Sequence, residues 1–352
     1  MKKDIFHIIE SSATGTLAVV SMIANMQKKH GHNVNIIYSK REETPEDFEK
    51  YFHDGIKIKE IRMSGFINIF NAHFSLRRHL SNYESHIFLH SSFAGFIGRI
   101  ALLGIKQIKL FYVPHSISLM KYDINNLIWL IYYLLELVPC LKKFEYIACS
   151  KSEYEVITKY LPFRKCNLVE NAVSLNYPIN KSNHNGFKVV NAALMRDQKD
   201  PILFGRIAKK TRAFDNSIRF IWIGDGEDKY KNFLIESGVE VTGMLKRDNV
   251  IDYMSQSDIF LSTSKYEGMP ICLIEAMLCK ITVIATNTRG NKDTVTHKHT
   301  GFLFNDVDEA TNLIKTLKED EARRISIENN AFKEASIRYS PERYHADIDN
   351  LM

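Results

Sequence analysis

The chain has 352 residues, 45% of them hydrophobic and 25% charged, with a net charge of +6. That length favours two domains over one large core, and the composition is ordinary for a soluble globular protein. The longest apolar run, Leu127 to Leu135 and on to Val138, is interrupted by Glu136 and is too short to span a bilayer, and no secretory signal follows Lys2 and Lys3.

Charge is uneven along the chain. Residues 1–175 hold 22 Lys and Arg against 16 Asp and Glu, whereas the remainder holds 25 of each. A basic first half suits an anionic partner, either phosphate groups or a membrane surface, with scattered solvated lysines as the plain alternative. The modest excess and the lack of a basic helix argue against nucleic-acid binding. The five cysteines (Cys140, Cys149, Cys166, Cys272, Cys279) have no metal-like spacing and read as reduced thiols of a cytosolic protein. Cys272 and Cys279 lie in an apolar helical pattern and read as core residues.

In chain order, Asp4–Ile9 is a short apolar run, and the small and polar residues from Ser11 to Thr16 make a turn. A helical pattern follows from about Leu17 to Lys29, broken at Gly31, and Val34–Tyr38 is the next strand. This is a βαβ unit. The alternation continues through strands 86–90 and 108–113, with a helix from Phe93 to Leu103 between them that Gly104 closes. The helix Asn126–Leu141 and the strand 145–149 come next. Short buried strands separated by helices predict a doubly wound parallel sheet. The Leu127–Val138 helix reads as core-packed because apolar residues surround it; its lipid-facing alternative uses Trp129, Tyr132 and Tyr133. Phe66, Phe70 and Phe74, near Arg77 and Arg78, are the other candidates for membrane contact.

A polar, turn-rich stretch over 174–187 reads as an interdomain linker. Strands then recur at 188–193, 218–223, 240–242, 258–261 and 282–285. The chain thus divides into a first α/β domain (1–173), the linker, a second α/β domain (188–338) and a charged amphipathic tail helix (339–352) that packs on the second domain or crosses back to the first.

The chemistry concentrates after strand 258–261, where a loop from Ser262 to Gly268 leads into a helix over Pro270–Cys279. Open α/β sheets bind ligands at such strand-to-helix loops. Pro270 suits the first helical position, and the free first-turn amides with the helix dipole make a phosphate-binding end. Two carboxylates, Glu267 and Glu275, would repel a phosphate. They fit if they accept hydrogen bonds from hydroxyls, which a nucleotide sugar carries on both sides of its pyrophosphate. An exposed loop carboxylate and a surface helix residue are the plain alternatives for the two.

The segment Tyr266-Glu267-Gly268-Met269-Pro270-Ile271-Cys272-Leu273-Ile274-Glu275-Ala276-Met277 resembles the donor-binding signature of the retaining glycosyltransferases of family 4. The Gly224-Asp225-Gly226 turn, Gly243, Asp258, the loop Asn287–Gly290 with Asp293, and the turn Thr300–Leu303 add to the likeness. In the first domain it is carried by the loop Ser12–Gly15, His115, Ser150 and Asn171-Ala172-Val173. The resemblance implies a GT-B fold, with two Rossmann-like domains facing across a cleft.

It also implies roles. Glu267 binds donor-sugar hydroxyls and Glu275 the ribose, while amides from Gly268 through Met269 and Pro270 to Ile271 cradle the sugar and distal phosphate. Arg196 and Lys199 neutralise the leaving pyrophosphate in place of a metal ion, and His115 positions donor and acceptor. Gly15, Gly224 and Asp225 complete the donor contacts. Surface pairs of Arg196 and Lys199 with Asp197 and Asp200, and a satisfied loop histidine at 115, are the plain alternatives.

The chain departs from the family pattern at Leu194, where an arginine is usual, with Arg196 standing nearby. It departs also at Ala13-Thr14-Gly15, where two adjacent glycines are common, at Ala172 in place of a glycine, and at Asp293 in place of a glutamate. The implied protein is a cytoplasmic enzyme at the inner face of the cell membrane, with no cofactor and no metal. It takes a UDP- or GDP-sugar as donor and a saccharide or polyprenyl-diphosphate-linked acceptor of surface polysaccharide synthesis. Another GT-B enzyme such as a sugar-nucleotide epimerase, and a non-catalytic scaffold, are the rival readings.

Overall fold

Apolar runs buried on both faces are the sequence mark of parallel sheets, and the computed structural model contains two of them. It describes residues 2–63, 65–81, 84–174 and 186–352, so the linker expected over 174–187 lies mostly outside the described residues. The chain forms two compact units, Met1–Val173 with Pro341–Met352, and Ser174–Ser340.

In the first unit the elements run β1 (Asp4–Ile9), α1 (Thr14–Lys29), β2 (Asn33–Tyr38), β3 (Lys57–Glu60), α2 (Phe66–Leu80) and β4 (Ser85–His90). They continue with α3 (Ser92–Ala101), β5 (Ile108–Val113), α4 (Asn126–Leu137), β6 (Glu145–Ala148), α5 (Lys151–Tyr160) and β7 (Cys166–Leu168). The strands pair in parallel in the order β3-β2-β1-β4-β5-β6-β7. Strand order therefore reverses direction between β1 and β4. Helix α1 begins at Thr14, so Gly15 sits in its first turn and not in the loop expected there.

Helix α4 departs from its sequence reading. Trp129, Tyr132, Tyr133 and Leu137 pack inward against the core, but Leu127, Leu130, Ile131, Leu134 and Val138 form an exposed stripe, Leu127 at 67% and Val138 at 57%. Both stripes are apolar, so periodicity could not say which one was buried. The polar residue settles the matter: Glu136 points inward. Its carboxylate accepts from Arg99 Nη2 at 2.9 Å, Tyr112 Oη at 3.0 Å and Tyr146 Oη at 3.1 Å. Arg99, fully buried on α3, also donates to the Gly95 carbonyl and lies over the Tyr112 ring at 4.4 Å. Burial opposes its charge, yet Glu136 holds the guanidinium above the ordinary range.

In the second unit β8 (Phe187–Ala192), α6 (Pro201–Phe214), β9 (Ile218–Ile223), α7 (Asp228–Glu236), β10 (Glu240–Val241) and α8 (Arg247–Ser255) come first. Then follow β11 (Ile259–Ser262), α9 (Ile271–Leu278), β12 (Thr282–Thr286), α10 (Asn291–Thr294), β13 (Phe302–Phe304), α11 (Val307–Glu319) and α12 (Glu321–Arg338). The order β10-β9-β8-β11-β12-β13 reverses between β8 and β11. Asp258 lies at the opposite end of β11 from the loop to α9, accepting from the Lys188 amide at 2.9 Å beside Arg324. The tail helix α13 (Pro341–Leu351) packs on the first unit: Arg343 donates to the carbonyls of Glu170 and Asn171, and His345 stacks on His30 at 4.1 Å.

Removing one partner of a buried ion pair leaves the other charge uncompensated. Glu136→Ala is therefore expected to destabilise the first unit by about 3–5 kcal/mol, read as a shift in its chemical denaturation midpoint. A midpoint within experimental error of the parent would contradict this role for Arg99 and Glu136.

Candidate active site

A crevice at a reversal of strand order, beyond the carboxyl ends of the strands, is where open α/β sheets bind ligands. In the second unit that position receives two connections, the segment after β8 and the loop from β11 to α9. They are zipped together. Thr263 Oγ1 donates to the carbonyls of Lys199 and Asp200 at 2.8 and 3.0 Å, the Lys265 amide to the Gln198 carbonyl at 2.8 Å, and Gln198 Nε2 to the Tyr266 carbonyl at 2.9 Å. Asp200 adopts a left-handed conformation and caps α6 through the Leu203 amide at 3.0 Å, which brings Lys199 back toward the loop.

This interlock sets Lys199 Nζ 2.5 Å from Glu267 Oε1. Burial works against the ammonium charge, but the Glu267 carboxylate raises the Lys199 pKa above its ordinary range. The alternative surface pairing with Asp200 is not what forms, and Asp197 instead pairs with Lys265 at 2.8 Å. Arg196 is exposed and close enough for its charge to act against that of Lys199. Leu194 is partly buried one turn-segment earlier.

A third connection, after β12, supports Glu267 from behind. The Glu267 amide donates to the Arg289 carbonyl at 2.9 Å, and Thr286 and Thr288 hydroxyls donate to the Ser264 carbonyl. Gly290 has φ 83° and ψ −49°, and a Cβ there would lie 2.4 Å from the Glu267 carbonyl oxygen. Only glycine lets the two loops approach so closely. Asp293 accepts from the Gly290 amide at 3.2 Å, closing α10.

Helix α9 starts one residue later than expected. Pro270 is its N-cap, with φ −74° and ψ 109°, not its first helical residue, and Ile271 begins the helix. Gly268, Met269, Pro270 and Ile271 are all buried at this end, where first-turn amides have no acceptor within the helix. Glu275 is 6% exposed on the same helix and pairs with Arg247, the first residue of α8. Burial raises the Glu275 pKa, and Arg247 acts in the opposite direction. Sequence reading missed Arg247, because nothing in its spacing ties it to Glu275; the packing of α8 on α9 does. Cys279 is buried as a core residue, whereas Cys272 is only partly buried and lies close enough to Lys199 and Glu267 for their charges to act on it.

Gly224 and Asp225 lie at the exit of β9. Gly224 has φ 139°, and a Cβ there would meet the Ala193 carbonyl oxygen at 2.2 Å. Asp225 accepts from the Gly226 amide and pairs with Lys231 at 3.2 Å. The second unit thus holds Arg196, Lys199, Gly224, Asp225, Glu267, Gly268–Ile271 and Glu275, whereas Gly15 and His115 belong to the first. Among the described residues, no group of three or more His, Cys, Asp or Glu is placed to hold a metal ion, and no helix is long and apolar enough to cross a membrane.

Residues 176–334 match the family model for glycosyl transferases group 1, and residues 14–177 match that for glycosyltransferase family 4. The chain belongs to the GT-B glycosyltransferases. Similar proteins include the Escherichia coli UDP-Gal:α-D-GlcNAc-diphosphoundecaprenol α-1,3-galactosyltransferase, 26% identical over 68% of this chain and 68% of its own. A 41.2 kDa protein of the Klebsiella pneumoniae cps region is 27% identical over 62% of this chain and 64% of its own. Among solved structures, Anabaena HepE in complex with UDP-glucose superposes with a TM-score of 0.81 at 19% identity, covering 99% of each chain. At that identity the superposition speaks for the fold of this glycosyltransferase alone.

The contact between Gly290 and Glu267 makes a direct test of the site's construction. Gly290→Ala is expected to cost about 1–3 kcal/mol for the left-handed backbone alone, and more for the clash with Glu267. Chemical denaturation of the variant measures this. Unchanged stability would show that the loop after β12 does not support Glu267.

Proposed function

We propose that this glycosyltransferase binds a nucleotide sugar in its second unit and transfers the sugar, with retention of configuration, to a saccharide or polyprenyl-diphosphate-linked acceptor in surface polysaccharide synthesis. The observation that carries the donor site is the Lys199–Glu267 pair, held beside the start of α9 with Glu275 buried on the same helix. A cation, a helix N-terminus and two carboxylates then lie together, and a sugar nucleotide offers chemistry for each: phosphate for the first two, hydroxyls for the last. The E. coli relative is named for a UDP-galactose donor and a diphosphoundecaprenol-linked acceptor, and HepE was solved with UDP-glucose. Both support a UDP-sugar here, with a GDP-sugar as the other candidate.

In this reading the donor's diphosphate takes up the Lys199 ammonium that Glu267 now holds, releasing Glu267 for sugar hydroxyls. Glu275 binds the ribose, and Arg247 shares that carboxylate. Lys199 and Arg196 then stabilise charge that grows on the pyrophosphate as the glycosidic bond breaks, a role that requires no metal ion. No carboxylate is placed as a covalent nucleophile in this reading, so the acceptor hydroxyl attacks from the side of the leaving group. The departing phosphate takes the hydroxyl proton, giving the α-linked product from an α-linked donor. Gly15 and His115, in the first unit, carry the donor-contact and positioning roles that the family resemblance implies.

Peripheral membrane contact at the cytoplasmic face forms part of the same proposal. The exposed aliphatic stripe of α4, together with exposed Phe70 and Phe74 on α2, supports it. Both helices flank α3: Arg77 of α2 donates to the Ala101 and Leu103 carbonyls, and Glu136 of α4 pairs with Arg99. An apolar helix face beside cationic side chains is the pattern of interfacial binding.

Two measurements test these readings. In a thermal-shift panel of UDP, GDP, ADP and their sugars, one nucleotide at about a hundredfold its Kd is expected to stabilise the protein by about 2.7 kcal/mol. Glu275→Ala should abolish that shift, and the absence of any nucleotide effect would remove the donor site. In liposome flotation at low salt, the protein is expected to float with anionic vesicles and Ile131→Glu in α4 to weaken flotation; failure of the parent to float would exclude lipid contact.

A further inference from the structure

The first unit holds a row of three histidines, two buried and the outermost partly exposed, whose proton positions are coupled. His7 lies on β1, His90 ends β4, and His115 follows β5, so the row crosses the sheet at the reversal of strand order between β1 and β4. His7 Nε2 is 2.8 Å from Gln27 Oε1, His7 Nδ1 is 3.0 Å from His90 Nε2, and His90 Nδ1 is 2.9 Å from His115 Nε2. The ring planes are within 26° of parallel with centroids 5.2 Å apart at both steps, so the rings meet edge to edge through their nitrogens. His7 and His90 are 1% exposed and Gln27 is fully buried.

A neutral imidazole has one donor and one acceptor nitrogen, and each is fixed by what the other bonds. Gln27 turns its carbonyl oxygen to His7 and leaves its Nε2 without a partner; an oxygen so placed only accepts, so His7 Nε2 carries the proton. His7 Nδ1 then accepts, which places the His90 proton on Nε2. His90 Nδ1 accepts in turn, which places the His115 proton on Nε2. Each step has one proton for two nitrogens, and the direction is set at the buried end.

The outer end of the row is held separately. His115 and Ser116 both have positive φ, 57° and 121°, a strained pair for residues with side chains. The buried Glu153 carboxylate compensates by accepting from the amides of Ser116 at 2.8 Å, Ile117 at 2.7 Å and Cys149 at 2.8 Å. Burial lowers the pKa of His7 and of His115 to about 4 and holds that of His90 well below its ordinary value, so the row stays neutral at physiological pH.

We infer that Gln27, His7 and His90 are positioning residues that hold His115 as its Nε2-protonated tautomer, presenting an unprotonated Nδ1 to the transfer site as a hydrogen-bond acceptor. This rests on the reading of His115 as a residue of that site. It narrows what His115 contacts. A lone pair accepts from a sugar or acceptor hydroxyl and is repelled by phosphate oxygens, so His115 recognises a hydroxyl group and takes no part in holding the pyrophosphate.

The test is the tautomer itself, read by two-bond 1H–15N correlation on the full chain with 15N-labelled histidine. His115 is expected to show a protonated Nε2 and a bare Nδ1 in the parent. Gln27→Met, which removes the accepting oxygen, should release that pattern, with the opposite tautomer appearing at His115. A protonated Nδ1 in the parent overturns the inference, and so does a His115 pattern unchanged in Gln27→Met. Should Gln27→Met fail to fold, the parent spectrum still decides, a protonated Nδ1 on His115 overturning the inference. No nucleotide is needed for these spectra, so the inference and the donor-site reading fail separately.

Discussion

Hydrogen bonds that end on backbone carbonyls tie the loops of the second unit's candidate site together. Loop 263–267 is bonded on one side to the turn 197–200 and on the other to the loop after β12. The first set of bonds decides that Lys199 meets Glu267, and the second, with Gly290 against the Glu267 backbone, decides where that carboxylate can stand. An ammonium and a carboxylate on separate flexible loops would lose much of their attraction to side-chain entropy and water. On interlocked loops that ordering cost is met during folding.

Polar groups inside the first unit do comparable work. Glu136 interrupts an apolar helix, and that interruption is what orients it, because a carboxylate that finds an arginine and two tyrosine hydroxyls belongs inside. The aliphatic residues left over then face outward. Glu153 plays a related part by satisfying three amides of a backbone that bends through two positive-φ residues. In both places a buried acceptor decides a local geometry that hydrophobic packing alone would leave open.

The GT-B fold accounts for the division of these features. Each sheet is wholly parallel among the described residues, and each reverses its strand order once. In the second unit the reversal gathers the carboxylates and cations expected of a donor site, and in the first it gathers the histidine row. The same topological rule thus operates twice, with different chemistry placed on it by different loops.

Periodicity and short motifs carried much of this. The βα alternation, the loop Glu267–Pro270 leading to Glu275, and the family likeness were all legible in the chain, because each is local and repeats a pattern of few residues. Strand β3 and helix α5 were less visible, being short or mostly polar. The start of α9 at Ile271 instead of Pro270, and of α1 at Thr14, fell within the ambiguity of a helix end.

By itself the sequence determined the fold class and the loop-to-helix segment on which Glu267 and Glu275 lie. Tertiary structure alone decided that Lys199 pairs with Glu267, that Arg247 reaches Glu275, that the aliphatic face of α4 lies outside, and that Gln27, His7, His90 and His115 form one row. The physical reason is the same in each case. These partners lie on different elements, and which of their faces meet is decided when the sheet and its loops pack, not by any spacing along the chain.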